Sequence, residues 1–182
     1  MRMLFEYIPQ IFSAFKKRDQ RRLRKLNDFV LTEAALEPSR VNFEVAILSY
    51  VLSKIVSKPR LLSHDNNKIL TEIESGLREL LKRMKRGSEE DLLGVMRKIE
   101  GSIGKLDRKD KRFAISLYEK GKLKTAATFY AQGMSLGVAS EMTGVEKQEI
   151  LDYAGQTMMF DRLKEEKTLR ERMKIARQMI SE

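Results

Sequence analysis

Residues 41–57, VNFEVAILSYVLSKIVS, constrain the fold more than any other stretch of this chain. Apolar residues occupy so many of its helical positions that they surround almost the whole circumference of a helix. Glu44 and Lys54 interrupt the run, which also falls short of the roughly 20 apolar residues needed to cross a bilayer. We therefore predict a helix at the centre of a bundle, and no membrane span.

Helical spacing also dominates the flanking segments. The chain has only 3 prolines, and β-branched residues never alternate with polar ones for long. Apolar stripes predict further helices over residues 4–17, between Asp19 and Pro38, between residues 67 and 87, and after Ser88. We expect Asp19 to cap the second helix, SHDNN (63–67) to cap the fourth, and Gly87 to end it in a left-handed conformation. Ser88 and Asp91 resemble a capping box.

The composition of the sequence changes after residue 104. GKLDRKDKR (104–112) is polar, with Asp107 as a candidate helix cap, and glycines recur more often beyond it. The last predicted helix, residues 157–180, presents Leu169, Met173, Ala176 and Ile180 on one face, through which two copies of the chain could pair. We therefore predict an all-α protein with a helical bundle (1–104), followed by a helix-turn-helix-like module with a long C-terminal helix (105–182).

The segment ASEMTGVEKQEILDY (139–153) has the pattern of a helix-turn-helix. Small residues allow two helices to cross closely, a glycine permits the tight turn, and apolar residues fill the wedge between the helices. The predicted helix-turn-helix residues are Ser135 as N-cap, Ala139, Ser140, Gly144, Val145, Lys147, Gln148 and Ile150. A helical hairpin with a glycine turn is the structural alternative.

A wider segment, LYEKGKLKTAATFYAQGMSLGVASEMTGVEKQEILDYAG (117–155), resembles small prokaryotic helix-turn-helix proteins, some of them antitoxin-like. The shared features are a Tyr, a Gly, the SLG triplet, a pair of small residues and the GV dipeptide. The segment is also similar to uncharacterised archaeal proteins in which a helical bundle precedes it. The resemblance implies a helix-turn-helix fold and a regulatory or partner-binding role.

The charge of this segment argues against reading of the DNA major groove. From Ser135 to Gly155, Lys147 faces Glu141, Glu146, Glu149 and Asp152, so the segment carries 1 − 4 = −3 within a protein of +10. The N-terminal residues of a recognition helix lie close to phosphates, which repel carboxylates. Glu146, Glu149 and Asp152 are therefore candidate residues for docking a partner protein.

Positive charge is concentrated in two other runs. KKRDQRRLRK (16–25) and a second run over residues 105–124 favour a polyanionic partner such as nucleic acid. Neither run contains interleaved aromatic residues, so base stacking on a single strand has weak support. Solvated surface charge is the alternative interpretation. The candidate phosphate contacts are Arg18, Arg21, Arg22, Arg24, Lys25, Lys109 and Arg112.

The residues needed for several kinds of chemistry are missing from the sequence. There is no cysteine, and His64 is the single histidine, so we predict no metal site and no cofactor. The chain also lacks a glycine-rich phosphate loop and a nucleophile elbow. Glu6 and Pro9 interrupt the N-terminal apolar stretch, which therefore does not resemble a secretory signal. The absence of cysteine and the many charged residues suit a thermophile's cytoplasm.

Together these features predict a non-enzymatic, nucleic-acid-associated regulatory protein that binds phosphates through basic helices. The alternative is an antitoxin-like or scaffold module whose acidic helix docks a protein partner without nucleic acid. In either case we expect a cytoplasmic protein with no membrane partner, and the acidic helix or the C-terminal helix as the surface for a partner or a second copy.

Overall fold

The computed structural model describes residues 2–85, 87–109 and 116–162, with side chains described from residue 6 to 160. This part of the chain contains helices and turns and no strand, so the predicted all-α class is confirmed. The α-helices are α1 (Arg2–Lys16), α2 (Gln20–Leu36), α3 (Arg40–Val56), α4 (Asn67–Arg83), α5 (Glu89–Lys109), α6 (Leu117–Ala131), α7 (Leu136–Thr143), α8 (Lys147–Gln156) and α9 (Met159–Arg162). Two short 3-10 turns, Pro59–Leu62 and His64–Asn66, connect α3 to α4.

Helix α3 is the central element, as its sequence predicts. Of its 17 residues, 14 are buried, and it packs against α1, α2, α5 and α6. Two of its polar residues have partners on other helices: Glu44 accepts a hydrogen bond from the Tyr118 hydroxyl of α6, and Ser49 accepts one from the Asn27 amide of α2. Burial of polar groups with partners avoids the desolvation cost of leaving them unpaired. The helix therefore anchors the bundle on all sides.

Two of the predicted helix starts are confirmed. The Asp19 carboxylate accepts a hydrogen bond from the backbone N–H of Arg22 at 2.9 Å, which caps α2. At α5, the Ser88 N–H donates to the Asp91 carboxylate at 3.0 Å, and the Asp91 N–H donates to the Ser88 hydroxyl at 3.2 Å. This reciprocal pair is the capping box predicted from the sequence.

The predicted caps at both ends of α4 are wrong. Asn66 precedes the helix without a side-chain cap, because its backbone angles are helical and not those of an N-cap residue. Its amide donates to the Arg60 carbonyl and the Ser63 hydroxyl and holds the 3-10 turns together. Gly87 does not have a positive φ angle. A Cβ at Gly87 would lie 2.8 Å from the carbonyl oxygen of Arg83, so this position needs glycine for close backbone approach.

Asp107 lies inside α5 and does not start a new helix, contrary to the prediction. It is buried, and its carboxylate accepts a hydrogen bond from the Leu117 N–H at 2.8 Å, so it caps α6 from a neighbouring helix. The boundary placed after residue 104 therefore falls within α5. The division of the chain into domains at that point stays a prediction.

Helix α6 belongs to two hydrophobic cores. Leu117, Tyr118 and Phe129 pack in the large core with α1–α5, whereas Ala126 and Ala127 pack in a small core with α7, α8 and α9. The helix runs antiparallel to α3, because Phe129 meets Phe43 edge-on at 4.5 Å and Gly121 approaches the other end of α3. The first helix of the second predicted segment is thus part of the bundle.

Gly121 sets the close approach of α6 to α3. A Cβ there would lie 2.8 Å from Val51 Cγ2, with Ile47 and Tyr50 at 3.4 Å. The last predicted helix, including Leu169, Met173, Ala176 and Ile180, lies outside the described residues beyond residue 162. Among the helices that are described, none combines the length and the hydropathy of a membrane span.

Candidate nucleic-acid interface

The first basic run spans the end of α1, the turn that follows it and the first residues of α2. Because the Asp19 cap starts the helix at Gln20, the buried Leu23 and Leu26 turn one side of α2 towards the core. The basic side chains that the run contributes to α2 are exposed on its outer side: Arg21, Arg22, Arg24 and Lys25. Asp28, one turn after Arg24, is an acidic residue of the same exposed side.

Arg18 does not join this surface, although its spacing in the sequence suggested that it would. It lies in the turn before α2 with a φ angle of 56°. Its guanidinium is 2.9 Å from the Glu74 carboxylate of α4 and donates to the Phe15 carbonyl at 3.0 Å. Arg18 therefore holds the α1–α2 turn against α4, and its charge is already compensated.

The second basic run is divided among several roles. Lys105 pairs with Glu72 at 2.8 Å, and Lys122 pairs with Glu119 at 2.9 Å. Lys109 donates to the backbone carbonyl of Asp65 at 2.9 Å, although its side chain is exposed. Arg112 lies outside the described residues. Most of the described lysines of this run therefore have partners within the protein.

A small cavity lies between α3 and α6. We call this cavity the lysine pocket. It has a volume of about 220 Å³ and is lined by Tyr50, Lys54, Lys58, Leu117 and Lys120. Burial lowers the pKa of Lys54, and the charges of Arg24 and Lys120 lower it further. Arg24 of the first run and Lys120 of the second thus act on the same ammonium group.

Tyr50 forms a neutral wall of the lysine pocket. The ammonium groups of Lys54 and Lys124 lie 5.3 Å and 4.6 Å from the centre of its ring, within the range of cation–π attraction. Burial raises the pKa of Tyr50 to about 12, and Tyr153 of α8 adds to this shift. The hydroxyl therefore stays protonated at neutral pH and adds no negative charge to the pocket.

These cations are suited to bind an anion. Within the residues that the structure describes, no ion pair involves Arg24, Lys54 or Lys120. Their mutual repulsion disfavours the charged form of Lys54, and a bound phosphate would relieve it. We call these cations and their exposed neighbours on α2 the cationic face, in which Lys54 is half-buried and the others are exposed: Arg21, Arg22, Arg24, Lys25, Lys54 and Lys120.

Lys54 and Tyr50 were missed as site residues at the sequence level. Lys54 stood out only as a charge interrupting an apolar helix, and its neighbours come from segments far away in the chain. A charged residue in an otherwise buried helix needs solvent or a polar partner for its charge. The position of Lys54 in such a helix was therefore the signal in the sequence that could have indicated a polar site.

Helices α7 and α8 have the local features predicted for the helix-turn-helix segment. The Ser135 hydroxyl caps α7 by accepting from the Val138 N–H at 3.2 Å. Gly144 ends α7 with a φ angle of 70°. Ala139, Val145 and Ile150 are buried in the small core, whereas Ser140 is only half-buried. The assignment of this pair as a DNA-binding helix-turn-helix stays a prediction.

The outer side of α8 is acidic and exposed. Glu146, Glu149 and Asp152 all face solvent, as does Lys147. The Gln148 amide, a group that in other proteins pairs with adenine edges, donates to the Asp152 carboxylate at 2.9 Å. The group with the best chemistry for a base edge is therefore engaged with a carboxylate of its own helix.

The described residues hold no group of three or more histidine, aspartate or glutamate side chains arranged to bind a metal. His64 is exposed in the second 3-10 turn. In comparisons with known proteins, no family model, no curated protein and no solved structure matches this chain.

Proposed function

We propose that the protein is a non-enzymatic, nucleic-acid-associated regulatory protein that binds phosphates through the cationic face. The observation that carries this proposal is the convergence of Arg24, Lys54 and Lys120, from three different helices, with no carboxylate paired to them among the described residues. A phosphate backbone supplies closely spaced negative charges, which such a surface neutralises with release of counterions. The exposed acids Glu146, Glu149 and Asp152 then engage a partner or a second copy.

The test compares two triple variants with the same change in net charge. Arg21→Gln, Arg24→Gln and Lys120→Gln remove charge from the cationic face. The control removes three basic residues that surround a groove on α4: Arg78→Gln, Lys82→Gln and Lys85→Gln. Fluorescence anisotropy with labelled duplex and single-stranded oligonucleotides is measured at about 50 and about 200 mM salt, where phosphate-dominated affinity falls steeply.

We expect the first triple to weaken binding and to lower the slope of log K against log salt by about 3, one for each phosphate contact. The α4 triple leaves that slope within about 1 of the parent value. Equal losses in both variants would show that binding follows net charge alone and would refute the cationic face. Absence of binding at the lower salt would refute a nucleic-acid function altogether.

The exposure of Glu146, Glu149 and Asp152 favours a second candidate function, docking of a basic protein partner. Leu151, next to Asp152 in the chain, is 37% exposed and adds an apolar side chain to the exposed part of α8. A labelled amphipathic peptide of lysine and leucine is the probe. Glu146→Gln, Glu149→Gln and Asp152→Asn together should abolish its binding if α8 is the docking surface, and nucleic-acid affinity should not fall.

A further inference from the structure

Phe29 is an exposed aromatic residue on the same side of α2 as the basic residues. Its side chain is 57% exposed. It follows Lys25 by four residues and Arg22 by seven, so the three side chains lie on one face of the helix. Phe29 lies just beyond the basic run, so the pattern of that run does not include it. The cationic face therefore has an aromatic ring at its edge.

The ring of Phe29 has an aromatic neighbour in the protein. It lies parallel to the ring of Tyr7 in α1, with an interplanar angle of 5° and 6.3 Å between the ring centres. Tyr7 is half-buried and packs against the large core. A side chain with such a neighbour loses less conformational freedom when a second flat group stacks on it than an isolated surface side chain does.

We propose that the protein prefers single-stranded nucleic acid, with a base stacked on Phe29 and the adjoining phosphates bound by Lys25 and Arg22. This inference rests on the proposed function and specifies its ligand. Proteins that bind single strands combine a basic track with aromatic rings on which bases stack. In a duplex the bases are paired and stacked on each other, so only the phosphates are available to the cationic face.

An anionic membrane surface fits the same helix less well. The exposed apolar residues of α2 are Phe29 and Leu36, which lie two turns apart with the polar Thr32 between them. Insertion into a membrane interface needs a continuous apolar face. Stacking needs a single accessible ring with cations beside it, which is the arrangement found.

The experiment uses the full chain and three labelled probes of equal length: oligo-dT, oligo-U and a mixed duplex. Phe29→Ala should weaken binding of the single strands by about 5- to 150-fold, the range for loss of one stacked base. Duplex affinity should change by less than about 2-fold, since the phosphate contacts remain. Leu36→Ala is the matched control, because it removes an exposed apolar side chain from the same helix and should change neither affinity. Comparison of oligo-dT with oligo-U decides between DNA and RNA.

A second variant gives a direct readout. The chain has no tryptophan, so Phe29→Trp introduces a single reporter, whose fluorescence should be quenched by single strands and unaffected by duplex. Equal effects of Phe29→Ala on both nucleic acids, or a similar loss in Leu36→Ala, would overturn the inference. A change in tryptophan fluorescence with phosphatidylserine vesicles but not with oligonucleotides would also overturn it. The same holds for concentration-dependent self-association of the parent protein that is lost in Phe29→Ala. Duplex binding without single-strand binding refutes this inference and leaves the proposed function intact, whereas no binding of any probe refutes both.

Discussion

Replacement of Gly121 by alanine tests how closely α6 must approach α3. The added Cβ would lie 2.8 Å from Val51 Cγ2 and 3.4 Å from Ile47 and Tyr50. Val51 is fully buried and β-branched, so its χ1 angle is restricted in a helix and it cannot easily move aside. The substitution must therefore shift the helices apart, and with them the Lys120 side chain across the lysine pocket.

The magnitude follows from two opposing effects. Overpacking of a core costs about 1–3 kcal/mol. Alanine in a helix interior gains about 0.5–1 kcal/mol over glycine. Gly101→Ala in α5 isolates the second effect, because Gly101 is exposed and a Cβ there meets nothing within 4 Å. We expect Gly101→Ala to stabilise the protein by about 0.5–1 kcal/mol and Gly121→Ala to destabilise it, with a difference of about 1–3 kcal/mol between them.

Urea denaturation followed by circular dichroism measures both free energies of unfolding, with unchanged m-values as evidence that the same surface is exposed. Val51→Ala removes the methyl group that clashes. In that background Gly121→Ala should lose less stability than it does alone, which a double-mutant cycle quantifies. If Gly121→Ala stabilises the protein as much as Gly101→Ala does, the packing of α6 on α3 described above is wrong.

Three further predictions concern polar groups. Lys54→Gln should raise the free energy of unfolding at pH 7 by up to about 1 kcal/mol, since partial exposure screens the repulsion that it removes. Because folding lowers the pKa of Lys54, the parent protein regains stability as the pH rises through that lowered pKa towards 10.5. Urea titrations at several pH values should therefore show the advantage of Lys54→Gln shrinking in this range, and Lys82→Gln should show no such trend. Asp107→Ala should lower the free energy of unfolding by about 1–3 kcal/mol, because it leaves the Leu117 N–H buried without its acceptor, and Asp107→Asn should lower it less. A loss no greater than that caused by Asp28→Ala, at an exposed position, would contradict the capping role. Tyr118→Phe should cost about 1.5–3 kcal/mol by removing the hydrogen bond to Glu44, and an unchanged midpoint in thermal denaturation would refute that contribution.

The central helix and the caps at Asp19 and Ser88 were predictable because they depend on residues close together in the chain. Apolar residues around a helix indicate burial, and a side chain can cap only a helix end within a few residues. The failure at Asp107 has the opposite cause. Its partner, Leu117, is ten residues away on another helix, and no local pattern distinguishes such a cap from an ordinary N-cap.

The candidate site was predictable only as an excess of charge. The sequence indicates which segments are basic, and it does not show which cations already have partners. Arg18 and Lys105 are paired with carboxylates 56 and 33 residues away. Lys54 was overlooked because it is a single charge in an apolar helix, and only the packing of α2, α3 and α6 brings it near Arg24 and Lys120. Phe29 was overlooked because it lies outside the basic run, four residues after Lys25.

The placement of α6 in two cores has a consequence for attempts to dissect this protein into fragments. A fragment that ends before α6 would leave the surface of α3 around Val51 and Phe43 open to water. A fragment that begins at α7 would lack Ala126 and Ala127, on which its own small core is built. Helices α7 and α8 therefore cannot be moved to another protein as an independent unit. A chimeric protein that contains them also needs α6 and a matching α3.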